Sequence, residues 1–282
     1  MAELAECVIN VSEGRDEARL ERLAASCAGQ LLDRHVDPDH HRSVFTLAGS
    51  DDAVLSASLE LCREAVRSLT IADHVGVHPR LGVVDVVPFI ALGERPLEDA
   101  VVLRDAFAAR ASAELNLPVF LYGPHKGGAR TLPELRRRAF KDQLPDLGPS
   151  VPHPTAGATC VGARGVLVAW NLIVEGLDLE TAKAVASEVR REGLRTLAFE
   201  VEGGVQVSCN LVDPLRLGPA EAYDLIAEAA RERGGAPGAA ELVGLVPAAV
   251  VEGTDPSRLT QLDLSPSVTI EGRLAALGAS AS

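Results

Sequence analysis

The tightest constraint on this chain's fold is an order of strand and helix signals that occurs twice. Residues 6–11 (ECVINV) are a short β-type run. Residues 16–28 read as a helix, with Ala18, Leu20, Leu23, Ala24 and Cys27 at helical spacing. Residues 31–36 and 42–48 read as strands on either side of the turn-forming Asp37-Pro38-Asp39. Ser50 and Asp51 suit the cap of a helix over 52–69, where Leu55, Leu59, Cys62 and Val66 repeat on one side. The β-branched run 83–90 closes the unit as a buried strand, giving βαββαβ. The second half repeats it: strand 166–174, helix 178–191, and strands 194–201 and 205–211 paired about Gly203-Gly204. A helix over 219–233, with Pro219 in its first turn, and a closing strand over 241–246 complete the repeat. Between the halves, helices over 96–115 and 131–140 flank a strand at 118–122.

Two such units predict a mixed α/β (α+β) protein of two ferredoxin-like βαββαβ sandwiches, each with helices on one face of its sheet. The expected domains are 1–162 and 163–282. Residues 145–154 hold four prolines in ten positions and no periodicity, so they are expected to form a connector, a kind of segment that often lines a cleft. The tail from Gly278 is small and polar and is expected to fray.

Charge and composition exclude partners more than they identify them. A formal net charge of −13 repels nucleic acid and anionic lipid, and 3% aromatic residues offer no stacking platform for bases. No run of 18 apolar residues occurs, and the N-terminus, with Glu3 and Glu6, lacks the order of a signal peptide, so a cytoplasmic protein is expected. Five widely spaced cysteines with no CxxC pair fit a reducing compartment and buried thiols rather than a catalytic cysteine.

The histidines carry more information. Five of seven fall in two short loops: His35, His40 and His41 in one, His74 and His78 in the other. Histidine is the commonest general base, so these loops are candidates for proton transfer, against the plain alternative of solvated loop residues. Asp37, Asp39, His40 and His41 also have metal-ligand chemistry, but no recognised ligand spacing supports a metal. Pro79 favours an extended backbone at His78, and Arg80 sets a planar cation suited to a carboxylate two residues away. The cluster Gly157-Ala158-Thr159 to Gly162-Ala163-Arg164 permits close backbone approach to a ligand, though glycines beside a strand are more often turns.

Taken together, the chain resembles the glutamate formimidoyltransferase (formiminotransferase) family. The matching stretches are NVSEG (10–14), DPDHHRSV (37–44), HPRLG (78–82), DVVPF (85–89) and PVFLYG (118–123), followed by TLP (131–133) and GPS (148–150). GAT (157–159), GAR (162–164), AWN (169–171), QVS (206–208), Asn210 and LVGLVP (242–247) continue the series in the same order. The resemblance implies two α/β subdomains with folate in a cleft or tunnel between them, and transfer of a formimino group from N-formimino-L-glutamate to N5 of tetrahydrofolate. It implies His78 as the catalytic base. It also maps a folate-contacting connector onto Gly148, Pro149, Ser150, Val151, Pro152, His153, Pro154, Thr155, Ala156 and Gly157. Length makes the chain similar to the monofunctional bacterial forms, and relatives are commonly homodimers.

On that resemblance, tetrahydrofolate is a co-substrate and no metal is required. Both substrates are anionic, so a local cationic lining from Arg42, Arg80, Arg164 and Lys126 is expected. Arg80 or Arg42 would hold a carboxylate, His41 would contact the ligands, and Asp37 would orient an imidazole. The alternatives are a different donor (formiminoglycine, or 5-formyltetrahydrofolate exchanging with glutamate), a non-catalytic folate-binding module, and a metal-dependent hydrolase.

Overall fold

The structure is a computed structural model that describes residues 4–72, 74, 80–125 and 128–280. His78 and Lys126 lie outside the described residues. The chain divides into two compact units, Met1–Gly165 and Val166–Ser282.

In the first unit the order is β1 (Leu4–Val11), α1 (Glu17–Ser26), β2 (Leu31–Asp37), β3 (Arg42–Ser50), α2 (Asp51–Ser68) and β4 (Val84–Ala91). Then follow α3 (Leu97–Leu115), β5 (Val119–His125), β6 (Gly128–Arg130), α4 (Leu132–Arg138) and β7 (Thr159–Ala163). The strands form one sheet in the order β2-β3-β1-β4-β7-β5-β6. Its first four strands are antiparallel, with the strand order of a split βαβ sandwich; β7 then runs parallel to both β4 and β5.

Alternation along the strands sets which face is which. In β1, Ala5, Cys7, Ile9 and Val11 join the main core with Leu20 and Leu23 of α1 and Leu59, Leu61 and Cys62 of α2. Val87, Phe89, Leu121 and Val161 point to that same core, where Phe89 meets Phe107 of α3 at 5.4 Å between ring centroids. Their strand neighbours Val86, Phe120, Tyr122 and Cys160 point the other way, into a second cluster with Leu132, Leu135 and Phe140. Thus α4 packs on the face opposite α1, α2 and α3. At its start the Glu134 carboxylate accepts the Thr131 backbone N–H at 3.1 Å and the Thr131 hydroxyl at 2.7 Å.

The second unit contains β8 (Val168–Glu175), α5 (Leu179–Val189), β9 (Leu194–Val201), β10 (Gly204–Leu211), α6 (Pro219–Arg231) and β11 (Ala236–Val243). The sheet order is β11-β8-β10-β9, the same antiparallel arrangement as in the first four strands of unit one. Trp170 is fully buried at its centre, and its indole N–H donates to the Leu262 carbonyl at 2.9 Å.

Four sequence expectations need correction. The proline-rich segment lies inside unit one, where Asp146 and Leu147 bond back to Val119, so it does not link the units. A strand, β7, occupies the Gly-rich cluster between residues 159 and 163. The last strand of unit two begins at Ala236, five residues before the expected 241. Beyond it lie two helices missing from the sequence reading, α7 (Ala248–Gly253) and α8 (Ile270–Ser280), and α8 continues through Gly278, where fraying was expected. Among the described residues, no helix is long and apolar enough to cross a membrane.

Candidate active site

At one end of the unit-one sheet, β1 finishes while β3, β4 and β7 begin: Val11 faces Ser43 and Val84, and Val86 faces Cys160. Four segments meet at this end. The residues after β1 bond to those before β4, through Ser12 N–H to the Val83 carbonyl (2.8 Å) and Ser12 Oγ to the Gly82 carbonyl (2.9 Å). Leu81 and Val83 bond in turn to Ala158 and Ala156, at 3.0 Å each. The contacts leave no room for side chains at two glycines. A Cβ on Gly14 would sit 2.4 Å from the Asp37 carbonyl oxygen and 2.6 Å from the Arg42 nitrogen. One on Gly82 would sit 2.3 and 2.4 Å from the carbonyl oxygens of Ala158 and Ala156.

Glu13 anchors the first segment. Although it is 3% exposed, its Oε1 accepts the N–H groups of Gly14, Arg15 and Asp16 at 3.0, 2.9 and 3.0 Å. The same oxygen lies 3.2 Å from His41 Nε2. Burial alone would raise the Glu13 carboxyl, but the Asp16 and Arg15 N–H bonds and His41 outweigh it and hold the carboxyl below its usual range. A carboxyl depressed on folding stabilises the fold above its unfolded value of about 4.3, and that contribution is lost as pH falls through the folded value. Glu13→Gln is therefore expected to lower stability at pH 7 by about 1–3 kcal/mol. Denaturant melts from pH 7 down to pH 3 should show the gap to wild type closing on the acid side; a gap constant with pH would contradict this.

The β2–β3 turn is the second component. Asp37 accepts the His40 N–H at 2.8 Å and also bonds the His40 ring nitrogen Nδ1. Burial pushes the Asp37 carboxyl up, but the His40 bonds prevail and keep it below the ordinary range, so it is a carboxylate at neutral pH. His41 follows with φ +48°, a left-handed turn residue whose ring stacks on His74 at 4.1 Å. His74 Nε2 lies 3.0 Å from the His41 carbonyl. Burial, with Arg80 and His41 nearby, lowers the His74 pKa from an ordinary value of about 6.5, so this imidazole is neutral at pH 7. Arg80 spans the turn, donating to the carbonyls of His40 (3.0 Å) and His41 (3.3 Å).

The third component is charge. Asp85, 2% exposed, accepts the Leu81 N–H at 2.7 Å and an Arg136 N–H. Arg42 and Arg80 each lie within electrostatic reach of Asp85 and of Arg136. Burial lowers the Arg42 pKa, against the attraction of Asp85 and Asp37, yet a guanidinium stays charged in any protein setting. The Arg42 guanidinium has no hydrogen-bond or ion-pair partner among the described residues. Among the described residues, no group of three or more His, Cys, Asp or Glu is placed to hold a metal ion. The five cysteines are buried free thiols, and burial pushes their pKa values up, to about 12 for Cys27 and Cys209. None is primed as a thiolate nucleophile.

Comparison with known proteins matches residues 4–164 to the formiminotransferase domain, N-terminal subdomain. That stretch holds every residue of the cluster just described. The chain belongs to the formiminotransferase family. It is 32% identical over 270 residues to the glutamate formimidoyltransferase of Streptococcus pyogenes serotype M1, which covers 88% of this chain and 90% of that protein. The glutamate formimidoyltransferase of Thermoplasma acidophilum is 34% identical over 268 residues, covering 86% of this chain and 88% of the relative. The formimidoyltransferase-cyclodeaminase of Rattus norvegicus matches at 31% over 88% of this chain and 51% of its own length.

In this formiminotransferase the residues singled out from sequence divide into three groups. Asp37, His41, Arg42 and Arg80 converge at the cationic end of the sheet, backed by Ala156 and Gly157 against Leu81 and Gly82. His153, Pro154 and Thr155 form a tight turn in which His153 Nδ1 accepts the Ala156 N–H at 3.0 Å, and Thr155 bonds Ile71 through its carbonyl at 2.8 Å. Gly148 packs on the Leu117 carbonyl, while Pro149, Ser150, Val151 and Pro152 run along the surface, Val151 being 64% exposed. Arg164 stands apart. It follows the far end of β7, about 16 Å of strand from Thr159, and donates to the Gly165 carbonyl. Sequence reasoning assigned no role to Glu13 or Arg136, and named His74 only as a member of a loop that is a candidate for proton transfer. NVSEG placed Glu13 within a matching stretch, whereas Arg136 sits in a run of three arginines that reads as the basic end of a solvated helix.

Proposed function

We propose that this chain is a glutamate formimidoyltransferase: it moves the formimino group of N-formimino-L-glutamate to N5 of tetrahydrofolate, releasing glutamate. It acts in the cytoplasm, in one-carbon metabolism fed by histidine degradation, and forms a homodimer. The observation that carries the reading is the cationic cluster of Arg42, Arg80 and Arg136, in a chain of net charge −13 and in a unit that matches the formiminotransferase domain throughout. Concentrated positive charge at one end of a sheet is what two carboxylate-bearing substrates require.

The chemistry follows from the substrates. N5 of tetrahydrofolate attacks the formimino carbon, so an N5–C bond forms and N5 acquires a positive charge. A neutral imidazole removes the N5 proton, and the tetrahedral adduct collapses as its bond to the glutamate nitrogen breaks. The proton taken from N5 passes to that departing nitrogen. His78 is the base in this scheme, two residues before Arg80 in the sequence. Arg80, held on the His40 and His41 carbonyls, and the unpartnered Arg42 fix carboxylates, so that the two bound reactants meet in line. Such alignment supplies several kcal/mol of the barrier, out of the roughly 7–11 available from proximity. Tetrahydrofolate is a co-substrate, contacted by the segment from Gly148 to Gly157.

Initial rates with tetrahydrofolate and each of three donors test the substrate assignment. N-formimino-L-glutamate is expected to give the highest kcat/KM. Formiminoglycine or 5-formyltetrahydrofolate with glutamate giving the higher value would reassign the donor.

A further inference from the structure

Arg136 lies outside the short motifs quoted from the sequence, and it comes from the face of the sheet opposite α1, α2 and α3. Its anchor is nevertheless at the centre of the site. Asp85 receives Arg136 through one carboxylate oxygen and the Leu81 N–H through the other, so neither can swing freely. We propose that Arg136 is a substrate-binding residue of the same site: its guanidinium holds a substrate carboxylate, and Asp85 is the positioning residue that aims it. The inference rests on the transferase reading and adds to it a ligand and the group that orients that ligand.

Two observations carry it. First, three guanidinium groups are drawn together around one buried carboxylate, Asp85. Arg42, Arg80 and Arg136 face two carboxylates, Asp37 and Asp85. Asp37 is shared with His40, while Arg80 spends N–H bonds on the neutral carbonyls of His40 and His41. Removing three like charges from water together is costly, and a bound anion offsets that cost. Second, Arg136 has donors to spare. A guanidinium has five N–H donors, and here one terminal nitrogen bonds Asp85 while the buried Nε carries no hydrogen bond. A carboxylate is the anion that fits such a planar fork, and both substrates bear one, the donor on its glutamate and the folate on its glutamyl tail.

The test is a kinetic split with a binding control, on wild type, Arg136→Ala, Arg136→Lys and Asp85→Asn. Varying the donor at saturating monoglutamyl tetrahydrofolate, and then the reverse, is expected to show Arg136→Ala raising one of the two KM values about 10- to 100-fold. kcat should change far less, the signature of lost uniform binding. The KM that moves tells which carboxylate Arg136 holds. Arg136→Lys, which keeps the charge and loses the fork, should show a smaller rise in the same KM, and Asp85→Asn should move that KM too. Should Arg136→Ala fail to fold, the lysine variant carries the comparison. Calorimetric titration with L-glutamate and with 5-formyltetrahydrofolate needs no turnover: wild type should bind one of them about 10- to 100-fold tighter than Arg136→Ala. Equal affinity in the two proteins, no binding of either anion by wild type, or a fall in kcat with both KM values unchanged overturns the inference. Absence of turnover in wild type with that affinity difference intact overturns the transferase reading alone.

Discussion

His78→Ala is expected to lower kcat by about two to four orders of magnitude, the range lost when a general base is removed. The residues around it in sequence make the prediction sharp. His74 and Arg80, on either side of it in sequence, both engage the backbone of the His40–His41 turn, and burial, with Arg80 and His41 nearby, lowers the His74 pKa. The loss should fall on the chemical step, so affinity for tetrahydrofolate, read by titration of the variant, should stay near wild type. Turnover by purified His78→Ala close to that of wild type would remove the proton-transfer role. A collapse of folate affinity with little change in kcat would recast His78 as a binding residue.

The second large effect is expected at Gly82. Its absent side chain is a packing requirement: a Cβ there would press on two backbone carbonyl oxygens and, at 2.8 Å, on the Ala158 nitrogen. Backbone on all three sides cannot rotate away, so Gly82→Ala must separate the segment before β4 from residues 156–158. The bonds from Val83 to Ala156 and from Ala158 to Leu81 would be strained, and with them the anchor beneath Arg80. Overpacking of this kind costs about 1–3 kcal/mol and sometimes more, and a displacement near 1 Å in a positioned site costs about 100-fold in rate. Thermal melts and initial rates of Gly82→Ala should therefore fall together. A variant with wild-type Tm and rate would show that the close approach at Gly82 does not hold the site together.

Much of unit one is legible in the sequence because its signals are local. The alternation in ECVINV, the one-sided Leu59, Cys62 and Val66 of α2, and the Asp37-Pro38-Asp39 turn each state their own conformation. β7 does not. Thr159-Cys160-Val161-Gly162-Ala163 is short and small, and it becomes a strand through parallel pairing with β4 and β5, partners many residues away. The start of β11 is hidden for a related reason, since Pro237 and Gly238 disfavour a strand and the pairing with β8 shifts register there. In α8, Gly272 and Gly278 weaken the helical signal.

The site shows the same division. His41, Arg42 and Arg80 are visible as cation and imidazole chemistry next to turn residues. Glu13 is not, because a glutamate after a strand resembles a solvated loop residue until three backbone N–H groups and a histidine are seen to surround it. Arg136 is hidden further, because its partner Asp85 lies 51 residues earlier and on another element.

The most direct measurement is product formation by the wild-type protein given tetrahydrofolate and N-formimino-L-glutamate at saturation, with 5-formimidoyltetrahydrofolate and released glutamate quantified in the same reaction. The two products should appear in equal amounts, at a rate proportional to enzyme concentration. Tight folate binding with neither product formed would contradict the transferase function and leave a folate-binding module in its place.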